Sequence, residues 1–285
     1  MADWSDGYWE SSDGLRLHYR DYAGDASRPP VICIPGLTRN ARDFEGVASR
    51  LAGAWRVICV DLRGRGESGY ARDPMSYVPP TYLQDMETLV RALALRRFVL
   101  IGTSLGGLIT MLMAAADATR IAGALINDIG PDIERRGLDH IRSYVGKPQN
   151  WPTWLHAARA LAEHQGDRYP DWDLDQWLVY AKRVCKLTPP GRVVFDYDMR
   201  LAEPFKLPAH TDFDLWPAFR ALAPVPTALV HGELSDLLSA ATVAKMRRAL
   251  PDLAVSNVPR VGHAPTLDEP ESIAAIDALL RRVSG

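Results

Sequence analysis

An α/β fold, a sheet with helices packed on it, is the architecture this 285-residue chain predicts, and three observations predict it. Short apolar runs alternate with longer amphipathic segments through most of the chain. The runs at 31–34, 57–60, 98–101, 124–126 and 228–230 are almost wholly apolar, the mark of strands covered on both faces. The rhythm breaks off near Pro131 and resumes after Trp216, as an insertion into one domain would make it do.

Taken in order, residues 15–19 alternate like a half-buried strand, and the apolar runs follow as buried ones. Helices are expected at 43–51, 81–95, 105–116, 239–250 and 271–283, several of them opened by an Asp, Thr or Ser cap. Residues 1–130 and 217–285 then form the core, and 131–216 a helical cap. Five of the eight tryptophans fall in or at the margin of that insertion. Helical patterns at 154–163 and 175–185 surround them, so Trp151, Trp154 and Trp177 are expected to roof an apolar substrate pocket.

The most informative stretch is Gly102-Thr103-Ser104-Leu105-Gly106, set between an apolar run and a helical pattern. Strand, sharp turn and helix place a serine at the apex. The close approach of strand and helix requires residues without side chains at 102 and 106. A serine hydroxyl is a poor nucleophile at neutral pH and needs a base, most often histidine, itself oriented by a carboxylate.

Of seven histidines, His263 stands out, because Val261-Gly262-His263-Ala264-Pro265 is a loop following the apolar stretch 254–258. His231, followed by Gly232, reads as structural, and His18, His140, His156, His164 and His210 as surface or packing residues. For the acid, Asp236 is the first choice, just beyond the buried run 227–230. The order Ser104, Asp236, His263 is that of a nucleophile-elbow hydrolase. Asp128, at the end of the strand after the one carrying Ser104, is the alternative. Glu233 and Asp268 read as structural or solvated. Acyl transfer also needs donors for the developing oxyanion, and the backbone N–H groups of Leu37 and Leu105 are the candidates.

From Pro35-Gly36-Leu37 through Asp61-Leu62-Arg63-Gly64-Arg65-Gly66-Glu67-Ser68, the Ser104 turn, Asp236 and Gly262-His263, the chain resembles the α/β-hydrolase superfamily throughout its length. The resemblance implies an eight-stranded, mostly parallel sheet with a helical cap inserted after the sixth strand. Asp61, Arg63 and Ser68 read as structural loop residues. Two departures stand out: Pro35-Gly36 replaces the His-Gly of many members, and Gly36-Leu37-Thr38-Arg39-Asn40 lacks the serine- and glycine-rich loop usual in carbon-carbon bond hydrolases. Serine at 104 disfavours the dehalogenases and epoxide hydrolases of this fold, whose nucleophile is aspartate.

Composition narrows the partners. A formal charge of -2 and a pI near 6.4 give no basic cluster for nucleic acid or an anionic membrane. No apolar span approaches about 18 residues, and the polar start carries no visible secretion signal, so a cytoplasmic protein is expected. Three cysteines without ligand spacing suggest neither disulfide nor metal. The expectation is a serine hydrolase acting on a small carboxylic ester or lactone without cofactor. A carbon-carbon bond hydrolase of a vinylogous diketone and a non-catalytic small-molecule receptor are the alternatives.

Overall fold

The computed structural model describes residues 2–206 and 214–284. Along the chain run β1 (Ser5–Glu10), β2 (Arg16–Tyr22), β3 (Val31–Ile34), α1 (Glu45–Leu51), β4 (Val57–Asp61), α2 (Pro79–Ala92), β5 (Phe98–Thr103), α3 (Leu105–Asp117) and β6 (Ile121–Asn127). The next segment holds α4 (Arg135–Tyr144), β7 (Asn150–Trp151), α5 (Trp154–Gln165), α6 (Leu174–Val184), β8 (Cys185–Leu187), β9 (Val193–Phe195) and α7 (Glu203–Lys206). Then come α8 (Trp216–Arg220), β10 (Thr227–Gly232), α9 (Ala240–Ala249), β11 (Ala254–Val258) and α10 (Pro270–Ser284).

Eight strands make one sheet in the order β1-β2-β4-β3-β5-β6-β10-β11. Strand β2 runs antiparallel to both its neighbours, and every other pairing is parallel. This is the α/β-hydrolase sheet that the resemblance implied. Alternation within the buried strands explains the two layers of core. Ile32, Ile34 and Leu100 pack with Met86 and Leu89 of α2 and Ile109 and Met113 of α3. Val31, Cys33, Val99 and Ile101 turn to the opposite face, against Val47 and Leu51 of α1 and Ile276 and Leu279 of α10. Each such side chain taken from water contributes about 1.5–3 kcal/mol.

The chain leaves β3 toward β4 on one side and enters β5 on the other, so the strand order reverses between β3 and β5. At such a switch point the loops at the carboxyl ends diverge and leave a crevice. The loop beginning at Pro35 and the Ser104 turn flank it.

Three features depart from the sequence reading. Strand β1 was not anticipated: it is an edge strand with only Trp9 buried, so it carries no apolar run. The inserted segment is not purely helical, because β7, β9 and β8 form a three-stranded antiparallel sheet. Strands of two or three residues are too short to show a period of two. Helix α2 begins at Pro79 rather than at 81, since proline without an N–H is well suited to the first helical turn. Among the described residues, no helix is long and apolar enough to cross a membrane.

Candidate active site

Ser104 stands alone between β5 and α3 with φ 53° and ψ -114°. For a residue with a side chain this conformation costs on the order of 1–3 kcal/mol, and the surroundings hold it. The Ser104 N–H donates to the Asn127 carbonyl at 2.9 Å, and the Ser104 carbonyl accepts from Gly107 N–H at 2.8 Å. A Cβ at position 102 would lie 2.3 Å from the Gly106 oxygen, and one at 106 would lie 2.0 Å from the Ile34 oxygen. Both glycines are therefore required by contact, as the close strand–helix approach predicted.

The His263 loop follows β11 and brings its imidazole Nε2 to 2.9 Å from Ser104 Oγ. Its Nδ1 lies 2.8 Å from Asp128 Oδ2. An ionised carboxylate only accepts hydrogen bonds, so Nδ1 carries the proton and Nε2 is left to accept from the serine hydroxyl. Asp128 is fully buried, and its Oδ1 accepts a second bond from Gly232 N–H at 2.8 Å. Its backbone takes φ 56°, a left-handed conformation that Asp tolerates better than most residues. Asn127, one residue earlier, donates to the Pro265 carbonyl at 2.8 Å and draws the histidine loop over the end of β6.

This geometry corrects the first choice of acid. Asp236 does not contact His263; its carboxylate pairs with Arg168 Nη2 at 3.0 Å and lies 3.6 Å from His140 Nδ1. The chain turns at the end of β10, with Ser235 N–H donating to the Gly232 carbonyl at 3.0 Å, and Asp236 sits beyond that turn. Asp128 is the first residue after β6, the strand lying directly beside β5. His231 is structural as expected, its two ring nitrogens facing the Leu238 carbonyl at 3.0 Å and Asn257 Oδ1 at 3.2 Å. His210 lies outside the described residues.

Leu105 opens α3, and Leu37 lines the same cavity as Ser104 and His263. Among the described residues, neither of their N–H groups donates to another group of the chain. Two uncommitted amides therefore flank the nucleophile. Arg65, which the sequence reading passed over, is buried and donates from Nε to the Leu37 carbonyl at 2.8 Å and from Nη1 to Tyr82 Oη at 2.9 Å. It braces the loop from behind. The only sequence signal was a second arginine in the Asp61–Ser68 stretch.

The rest of that stretch is structural. Asp61 accepts from the N–H groups of Ala41 at 2.6 Å and Glu67 at 3.0 Å, and from His18 at 2.7 Å. Burial disfavours the charged form of the His18 imidazole, but the bonds to Asp61 and Asp6 outweigh it and raise its pKa. Arg63 is held by both carboxylate oxygens of Asp85 at 2.6 Å.

Side chains of the inserted segment complete the cavity, among them Ile141, Tyr144, Leu161, Tyr180 and Phe195. None of Trp151, Trp154 and Trp177 lines it. Trp177 is buried with its ring 4.8 Å from Trp172 and 5.6 Å from Tyr180, Trp151 packs edge-on to Phe195 at 5.2 Å, and Trp154 packs at the margin of the same core. Large aromatic side chains bury the most apolar area, and these are drawn into a packed interior rather than left on the cavity wall.

Comparison with known proteins shows the family. The model of the alpha/beta hydrolase family matches residues 31–276. A 3-hydroxybutyrate-oligomer hydrolase of Cupriavidus necator is 34% identical over 270 residues, covering 91% of this chain and 90% of that protein. A 2-(acetamidomethylene)succinate hydrolase of Mesorhizobium japonicum is 29% identical, covering 83% and 82%. The crystal structure of an alpha/beta hydrolase from Novosphingobium aromaticivorans superimposes with a TM-score of 0.95 at 60% identity, covering 99% of both chains.

Proposed function

Because the chain belongs to the alpha/beta hydrolase family, we propose that it hydrolyses a small carboxylic ester through an acyl-enzyme formed on Ser104. One observation carries this reading: the unbroken hydrogen-bond path from Ser104 Oγ through His263 to the buried Asp128. His263 Nε2 takes the serine proton as Oγ attacks the carbonyl carbon. The oxyanion that forms is met by the N–H groups of Leu37 and Leu105, each such donor being worth about 3–4 kcal/mol when removed. The α3 N-terminus adds its partial positive charge. His263 then protonates the departing alcohol. In the second half, water gives its proton to the same nitrogen, adds to the acyl carbon and releases the acid. Asp128 stays ionised throughout, holding the tautomer and stabilising the imidazolium.

The 3-hydroxybutyrate-oligomer hydrolase among the relatives supports an ester of a short hydroxy acid as substrate. The inserted segment, carrying the apolar side chains that roof the cavity, acts in this reading as a cap over residues 1–130 and 217–285. A phosphonate that labels activated serines tests the mechanism, with one adduct expected at Ser104 by mass and peptide mapping. Ser104→Ala is expected to lower kcat by about four to six orders of magnitude with the fold intact. Absence of the adduct would return the receptor alternative. A panel of esters, lactones and vinylogous diketones separates the remaining bond types.

A further inference from the structure

Two arginines, Arg39 and Arg168, line the cavity that holds Ser104, and among the described residues no aspartate or glutamate lines it. Their commitments differ. Arg168 spends Nη2 on Asp236 and directs Nη1 to the His263 carbonyl at 3.4 Å, while its Nε is buried without a partner. Arg39 donates from Nη1 to Asp43 Oδ1 at 3.1 Å, and its guanidinium lies 4.4 Å from the Tyr180 ring centroid. Among the described residues, its Nε and Nη2 have no acceptor, and neither is sealed from solvent.

Nε and Nη2 form the edge of a guanidinium whose two N–H bonds run parallel and match the two oxygens of a carboxylate. The same molecule uses that edge elsewhere: Arg56 grips Asp21 through Nε at 2.9 Å and Nη2 at 2.6 Å. The stem of the Arg39 side chain also passes close to the nucleophile, and the residue lines the same cavity. A point one bond from Gly36 Cα lies 3.5 Å from Arg39 Cγ and 3.6 Å from Ser104 Cβ.

We propose that Arg39 recognises a carboxylate carried by the substrate, so that the esters this site favours are anionic, with an acid group on either the acyl or the alcohol portion. The inference deepens the ester-hydrolase reading and rests on it for the chemistry at Ser104. An anion entering here meets the guanidinium groups of Arg39 and Arg168, each paired with one carboxylate outside the cavity lining, and no lining acid. The rigid fork also sets the ester's orientation relative to Ser104 Oγ, which a point charge would not.

The test separates binding from turnover. On the Ser104→Ala protein, calorimetry compares 3-acetoxybutyrate with its neutral, nearly isosteric carboxamide. The carboxylate is expected to bind at least about tenfold more tightly, a preference that Arg39→Gln abolishes and Arg39→Lys reduces. Equal affinity for the two ligands, binding of neither, or a preference that survives Arg39→Gln overturns the proposal. In the wild-type protein the same pair, and a pair with the carboxylate on the acyl side (ethyl hydrogen glutarate and its carboxamide), are then followed by product release. A ratio of kcat/KM near one in both pairs also overturns it. Anion-selective binding without cleavage of any ester instead overturns the ester reading and leaves the anion site standing.

Discussion

Asp128 and Asp236 follow neighbouring parallel strands, β6 and β10, and each could be drawn on paper as the acid of a serine hydrolase. Their environments are different. The carboxylate of Asp128 is fully buried and meets His263 Nδ1 and Gly232 N–H, while that of Asp236 keeps 15% of its side chain exposed and faces Arg168 from the inserted segment. One is a neutral-donor site inside the sheet's crevice; the other is half of an ion pair that ties the inserted segment to the loop after β10. The contrast teaches that a strand end offers a position, and that partners assign it a role.

The largest effect is expected at Asp128. Replacing it by asparagine preserves shape but allows the amide to donate to His263, favouring the wrong tautomer, and kcat should fall by up to about 10⁴. Ester turnover within tenfold of wild type would dissolve the distinction between the two acids. Asp236→Asn is expected to lower kcat less than tenfold. Its cost should instead appear as stability, on the order of 1–3 kcal/mol, because Arg168 loses its countercharge in a largely buried place. Urea unfolding reads that loss, and a kcat loss approaching that of Asp128→Asn would reverse the assignment.

The smallest expected effect is the coupling between them. If Asp236 cannot reach His263, the double variant should lose activity as the product of the two single losses, within about threefold. A much larger loss in the double variant would mean that Asp236 swings in as a substitute once Asp128 is disabled.

The same contrast explains which parts of the site were legible. Ser104, His263 and the Leu105 amide announce themselves through neighbours in sequence: glycines two residues either side of the serine, and a glycine and a proline around the histidine. The strain at Ser104 and the close approach of α3 to β3 are both written in Gly102 and Gly106. The acid carries no such local mark. Choosing it required knowing that β6 lies between β5 and β10, and that Asn127 pulls the Pro265 carbonyl over the end of β6.

The inserted segment was the least legible region. Its tryptophans read as a pocket roof, yet Trp151 and Trp177 are buried in a core cluster with Trp154 packed against it, and the cavity is faced by tyrosines, a phenylalanine and aliphatic residues instead. Helical periodicity identifies an apolar side without saying what covers it. Likewise β1 left no pattern, because an edge strand needs only one buried side chain to be held.

By itself, then, the sequence determined the alternation of buried strands and amphipathic helices, the nucleophile turn and the histidine loop, since each rests on interactions spanning a few residues. Tertiary structure alone decided that Asp128 rather than Asp236 faces the imidazole, that Arg65 braces the Leu37 loop, and that Arg39 lines the cavity of Ser104. Those are meetings between residues 28 to 135 positions apart, in which strand order and packing, not local preference, fix which polar groups share a crevice.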